Sequence, residues 1–128
     1  GHHLVILYPI PSVGWNLPQE FLRRFKNADA QISIDELKVN PITTSYEVYK
    51  QRTQSSFDLF DSVTHQNIHR VYPHQLFCDL AIKARCVTHD TEHLYYYDDD
   101  HPSVKGAEMI TSLLVDAVAI AGAELRSQ

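Results

Sequence analysis

Apolar residues in this chain fall into short blocks separated by polar or proline-bearing joints. The first block, His3 to Tyr8, is a nearly continuous aliphatic run with Pro9-Ile10-Pro11 behind it. That is the pattern of a strand buried on both faces and closed by residues that cannot donate to a ladder. A central strand this early gives a domain no natural beginning, so Gly1 reads as the end of a preceding turn, unless His2 and His3 are remnants of an affinity tag. Ser12 to Leu17 reads as a loop around Gly14 and the only tryptophan, Trp15. Pro18 suits the first position of a helix, and Phe21, Leu22 and Phe25 recur at helical spacing through Gln19 to Lys26. Ile32 to Val39 is ambiguous between a short strand and a connection. Asn40-Pro41 ends it, and Thr43 or Thr44 is placed to cap the next helix. From Ser45 to Val63, Tyr46, Tyr49, Phe57, Phe60 and Val63 suit one face of that helix. Arg52, one turn beyond Tyr49, has either an acidic neighbour or solvent to face.

Further on, Ile68 to Tyr72 is a second β-prone segment closed by Pro73, and His74 to Leu80 reads as a helical turn over the core. Cys86 to Thr88 and Leu94 to Tyr96 flank a polar His89-Asp90-Thr91-Glu92, which reads as a hairpin. A last helix spans about Ser103 to Leu125, with Ala107, Ile110, Leu113, Leu114, Ala117, Val118 and Ala121 as its buried stripe. Strand, helix, strand and final helix in this order predict an α/β layered fold with a mainly parallel sheet.

Length and charge narrow the function classes. A chain of 128 residues makes one domain (1–128) with room for a core. A net charge of −5 leaves no electrostatic footprint for nucleic acid. No apolar run approaches the ~18 residues of a membrane span, so this chain is not expected to cross a membrane; the longest candidate, Leu113 to Ala123, is short and carries Asp116. No signal peptide is visible. Cys78 and Cys86 stand with seven residues between them, a spacing equally compatible with a bridge and with two buried thiols. There is no Cys-x-x-Cys to suggest a zinc knuckle or a redox motif.

The chemistry concentrates in Tyr95 to Gly106, Y-Y-Y-D-D-D-H-P-S-V-K-G. Asp98 and His101 form Asp-x-x-His between a strand and a helix, on the rim where open α/β sheets place their sites. A turn there brings a carboxylate and an imidazole into contact, the first two members of a proton relay. Asp98 would fix the tautomer of His101, whose other nitrogen would take a proton from a serine. Asp99 and Asp100 cannot both share that imidazole and are expected to face solvent, cap the helix or pair elsewhere. The bland alternative is a solvated acidic helix start, favourable without any function. Asp90 and His93 repeat the spacing, where only a hairpin tip is expected. His65 with His69, and His89 with His93, have the i, i+4 spacing of zinc ligands. That geometry needs a helix and a third ligand, and neither pair has a helical setting, so no metal is assigned.

Tyr96-Tyr97-Asp98-Asp99-Asp100-His101-Pro102-Ser103, with Gly106-Ala107 following, resembles the terminal motif of the SGNH domain fused to membrane-bound acyltransferase-3 proteins. Leu4 to Trp15 is similar to that domain's later core strand and its following loop. Tyr49 to Arg52 lies in a helix of matching position, and Pro73 to Cys78 with Cys86 resembles its cysteine-bracketed segment. The resemblance implies a flavodoxin-like three-layer α/β/α sandwich acting on acyl esters through Ser, His and Asp, with no cofactor. It makes Asp98 and His101 the acid and base, and implies an oxidised Cys78–Cys86 pair in a periplasmic module attached to an inner-membrane protein. Trp15 and Pro11 are the candidate substrate-contacting residues.

The chain departs from the family in lacking its Gly-Asp-Ser and its later glycine and asparagine blocks. Ser12 and Ser45 sit on no sharp strand-to-helix turn that would make either a nucleophile. The expectation is therefore the carboxyl-terminal half of an SGNH domain, inactive alone. Its implied partners are the amino-terminal half, a membrane acyltransferase domain, an acyl ester donor and a polysaccharide acceptor. A second copy joined through an open sheet edge is a further candidate partner. The alternatives are an SGNH esterase or deacetylase fragment, and a non-catalytic remnant binding glycan or a partner through Trp15 and Tyr95 to Tyr97.

Overall fold

The structure, a computed structural model, describes residues 1–127. Its elements follow in the order β1 (Leu4–Leu7), α1 (Leu17–Phe25), α2 (Ala30–Val39), β2 (Thr43–Ser45), α3 (Tyr46–Ser62), β3 (Ile68–Val71), α4 (His74–Phe77), β4 (Arg85–Val87) and α5 (Val104–Ser127). β1 pairs in parallel with β3, Leu4 opposite Ile68 and Leu7 opposite Val71, while β2 pairs antiparallel with β4. Among the described residues the sheet is thus half parallel and half antiparallel, in two separate pairs. The α/β class expected from the pattern is present, but the mainly parallel sheet is corrected: one of the two strand pairs is antiparallel.

β1 forms where the aliphatic run predicts it, yet it is only partly buried, with Leu4 half exposed. The reason is that β3 covers one edge of β1 and no described strand covers the other. Ile32 to Val39, ambiguous in sequence, is helical. Asp29 caps α2 by accepting the Ile32 amide at 2.8 Å, and the face turned inward is Ser33 and Leu37, one turn apart. Both readings of this stretch, short strand and connection, are therefore corrected; Ile32 lies on the exposed side of the helix. Thr43 and Thr44 pair with β4 instead of capping α3, and Ser45 takes the capping role, accepting the Val48 amide.

A disulfide joins Cys78 to Cys86 across an antiparallel bridge and sits in the core with Phe77, Tyr95, Tyr96 and Ile110. Leu17, Val13, Leu37 and Ile42 complete that core from the side of α1 and α2. A second aromatic group, Tyr8 against Phe57, Phe60 and Tyr72, fills the space between β1 and α3. Arg70 of β3 closes the end of α3 by donating to the Val63 carbonyl at 2.6 Å and to the Tyr8 hydroxyl at 3.0 Å. Helix ends leave such carbonyls without intrahelical partners, so this bond ties α3 to the parallel pair.

α5 runs from the carboxyl ends of β1 and β3 back towards their amino ends and packs on both strands. Its buried positions are Gly106, Ile110 and Ala121. Ala107 and Val118, expected in the stripe, are exposed, as are Val104, Val115 and Ile120. The stripe is narrower than the apolar pattern because a two-stranded sheet offers α5 a narrow platform. By length and composition this 24-residue helix is apolar enough to cross a membrane; here it lies against β1 and β3.

Gly106 is required by close approach. A Cβ there would stand 2.2 Å from the Tyr95 carbonyl oxygen, which is backbone and cannot swing away. Gly122, on the same helix, has only the tip of Arg126 within 4 Å of that position. Urea melts should therefore separate the two: Gly106→Ala loses about 2–3 kcal/mol through overpacking. Gly122→Ala gains about 0.5–1 kcal/mol from helix propensity. Equal effects at both positions would contradict the close approach.

Candidate active site

Asp98 and His101 lie at the carboxyl ends of β1 and β3, in the turn that enters α5. The turn is built by Asp98 itself: its Oδ1 accepts the backbone amides of Asp100 at 3.0 Å and His101 at 2.7 Å. Asx turns of this kind arise because a short carboxylate can reach the amides two and three residues on. With Oδ1 committed to the backbone, Oδ2 is left for the ring, and it lies 2.8 Å from His101 Nδ1. A carboxylate can only accept, so Nδ1 carries the proton and Nε2 is the basic nitrogen. Among the described residues Nε2 forms no hydrogen bond, and the side chain is largely exposed.

The local fold around the turn is closed by His101 and Ser103. The His101 carbonyl accepts the Tyr97 amide at 3.1 Å, and the Tyr97 ring stacks on the imidazole with centroids 5.4 Å apart. Ser103 then opens α5, its Oγ accepting the Gly106 amide while donating to the Leu94 carbonyl. Asp99 contributes its backbone: its carbonyl accepts the amides of Val13 at 2.8 Å and Gly14 at 3.0 Å. The expectation that Asp100 points elsewhere is corrected. Its Oδ1 is also 2.8 Å from His101 Nδ1, because the turn folds the Asp100 side chain back over the ring.

These carboxylates have predictable electrical effects. The hydrogen bond to Asp98 and the charges of Asp100 and Asp98 hold the His101 pKa above the ordinary imidazole value. The backbone amide of His101 chiefly, and that of Asp100, hold the Asp98 carboxyl below the usual carboxylate range. Both groups are solvent-exposed, so screening keeps their mutual attraction modest.

Asp90 and His93 show how much of this geometry is local. Asp90 Oδ1 accepts the amides of Glu92 and His93, both at 2.7 Å, the same turn as at Asp98. There the His93 ring stays 3.4 Å from Oδ1, and Oδ2 faces the Tyr95 hydroxyl. The expected hairpin tip is found, held by His89 opposite Leu94. The imidazole of His89 is buried and fully engaged: Nε2 accepts the Ile42 amide and Nδ1 donates to the Asp90 carbonyl. His65 and His69 share no site; His65 bonds the nearby Asn67 amide.

The loop after β1 is pressed against the acid–base turn. Besides the two bonds to Asp99, the Leu17 amide reaches the Asp98 carbonyl at 3.4 Å. Gly14 adopts φ +81°, a conformation that side chains other than glycine rarely take. Pro11 is fully buried, its carbonyl accepting the Tyr96 hydroxyl, so its expected contact with substrate is corrected: the ring does not reach the surface. Burial raises the Tyr96 pKa, which keeps the phenol a donor. Trp15 remains partly exposed.

Trp15 lines a cleft of about 330 Å³ together with Ser12, Gly14, Thr43, Ser45, Arg52 and Arg85. Asp98 and His101 are not in its wall; Val13 and Gly14 separate them from it. The Arg52 guanidinium lies beside Gly14, with Nη1 3.1 Å from where a Cβ would be, and forms no ion pair among the described residues. Sequence reading had no means to assign this residue to a cleft, since its neighbour Gly14 is distant along the chain. Arg85 is braced by the Thr43 hydroxyl and carbonyl.

Comparison with known proteins adds one decisive observation: residues 1–116 match the family model of the SGNH domain fused to AT3 domains. The chain belongs to this family. Neither a curated protein nor a solved structure matches it. Membership connects the SGNH domain to esterase and acyltransferase chemistry and to a membrane acyltransferase partner.

The two carboxylates on Nδ1 favour the imidazolium, so the neutral base forms only above a raised pKa. An NMR pH titration should place His101 above the ordinary value of about 6.5. Asp98→Asn should lower it while the neighbouring Asx turn persists. A His101 titration at or below about 6.5, unmoved by Asp98→Asn, would contradict the pairing.

Proposed function

We propose that this SGNH domain supplies the acid–base pair for O-acyl transfer to hydroxyls of a cell-surface polysaccharide. The observation that carries the proposal is the Nδ1-to-carboxylate contact at the strand ends, which leaves Nε2 of His101 free. In the step proposed, Nε2 takes the proton of a serine hydroxyl as the serine oxygen attacks an acyl carbonyl. The proton then passes to the departing oxygen, and an acyl-serine remains. An acceptor hydroxyl, deprotonated by the same nitrogen, attacks that ester and restores the serine. Asp98 stabilises the imidazolium formed in each half, and Asp100 adds a second negative charge beside it.

The nucleophile is proposed to come from sequence outside these 128 residues, in the amino-terminal part of a flavodoxin-like three-layer domain. In support, the chain contains no Gly-Asp-Ser. Of the serines nearest the cleft, Ser45 caps α3. The cleft with Trp15 and Arg52 has the mixed apolar and cationic lining suited to a sugar with hydroxyl or carboxylate groups. An extracytoplasmic location accords with the Cys78–Cys86 disulfide.

Two assays test this reading. The purified chain should hydrolyse an activated acetyl ester no faster than buffer, with His101→Ala indistinguishable from it. Turnover that disappears in His101→Ala would mean that a serine of this chain is the nucleophile. In the complete membrane acyltransferase, His101→Ala should lower polysaccharide O-acylation by about 10³-fold or more. Retention of more than a tenth of the activity would overturn the assignment.

A further inference from the structure

At the pole opposite the acid–base turn, three side chains from distant parts of the chain converge. His3 precedes β1, His69 lies in β3 and Glu124 lies near the end of α5. His3 Nδ1 is 2.9 Å from His69 Nε2, and Glu124 Oε2 is 3.5 Å from the first and 3.4 Å from the second. The two rings stack with centroids 5.2 Å apart. The His3 side chain is 3% exposed and that of His69 13%, whereas Glu124 is 49% exposed and opens the group to water.

Hydrogen bonding accounts for only one side of this triangle, the 2.9 Å contact between the two rings. Nδ1 and Nε2 can share one proton between them, and both distances to Glu124 exceed the ordinary hydrogen-bond range of roughly 2.7–3.2 Å. The other nitrogen of His3, Nε2, is buried with no partner among the described residues. That nitrogen points away from the cluster; the atoms that converge are His3 Nδ1, His69 Nε2 and Glu124 Oε2, all within 4.8 Å of one another.

We propose that His3, His69 and Glu124 form a zinc site. Zinc bonds to nitrogen and oxygen of about 2.0–2.1 Å put two ligands of a tetrahedron roughly 3.3–3.4 Å apart. Two of the three separations already stand at 3.4 and 3.5 Å. The third, 2.9 Å, is met by a small opening of the stacked rings. Two imidazoles and a carboxylate are a recurrent zinc donor set, with water completing the fourth position on the open side of Glu124. The ion would join the amino ends of β1 and β3 to the last turns of α5. Because the ligands span the parallel pair and its covering helix, the site acts as a staple for the fold and takes no part in the acid–base chemistry.

Equilibrium dialysis of the chain against Zn²⁺, with the bound metal counted, tests the assignment. One equivalent should be retained by the wild-type chain and by His101→Ala, which removes the other histidine–carboxylate group. Glu124→Ala, on an exposed helical position, should weaken binding at least about tenfold, and His69→Ala should abolish it. Co²⁺ should give the intense visible bands of four-coordination in the wild type and lose them in Glu124→Ala. Zinc should raise the melting temperature of the wild-type chain but leave that of Glu124→Ala unchanged. Failure to retain an equivalent, or retention undiminished by Glu124→Ala, overturns the site, and this outcome is independent of any acyl-transfer result. If circular dichroism shows that His69→Ala does not fold, the Glu124→Ala comparison decides alone.

Discussion

Three backbone hydrogen bonds between two loops hold the Asp98–His101 turn in place. The amides of Val13 and Gly14 converge on the Asp99 carbonyl, and that of Leu17 on the Asp98 carbonyl. They join the segment leaving β1 to the segment entering α5, so neither can shift without the other. Backbone groups removed from water must find partners, and here each loop supplies the other's. The prolines behind β1 are held in the same way: Pro9 and Pro11 cannot donate, but their carbonyls accept the hydroxyls of Tyr49 and Tyr96. Two glycines make the arrangement possible, Gly14 through its positive φ and Gly106 by letting α5 approach the Tyr95 backbone.

Within that frame the acid and base are assembled locally. Asp98 and Asp90 build the same turn, each with one carboxylate oxygen on two amides. What differs is the second oxygen. At Asp98 it meets the imidazole; at Asp90 it faces a tyrosine hydroxyl and the ring stands off. The spacing Asp-x-x-His therefore specifies a turn, and the surroundings specify whether the turn carries an oriented base.

Exposure of His101 sets the scale of its electrostatics. In water the attraction between imidazolium and carboxylate is weakened by the solvent's dielectric and by salt. Covering such a pair removes water and strengthens the attraction. The narrow buried stripe of α5 and the uncovered edges of β1 and β3 have the same physical origin: a two-stranded parallel pair buries little on its own.

The sequence alone determined whatever depends on near neighbours. The β1 run, α1 with its opening proline, the long α3 and α5, and the Asp98–His101 turn all rest on contacts within a few residues, and all were legible. The family motif was legible for the same reason, being contiguous. Where the local pattern was ambiguous, packing decided: α2 is a helix, neither strand nor connection, because Asp29 caps it and Ser33 and Leu37 face the core. Only the tertiary structure buried Pro11, turned Asp100 onto the imidazole, placed Arg52 against Gly14 and gathered His3, His69 and Glu124. Cys78 and Cys86 lie between these cases, since their spacing allowed a bridge and the antiparallel approach of the two segments made it. Side chains distant along the chain meet only after the strands and helices between them have packed, and no spacing in the sequence records that distance.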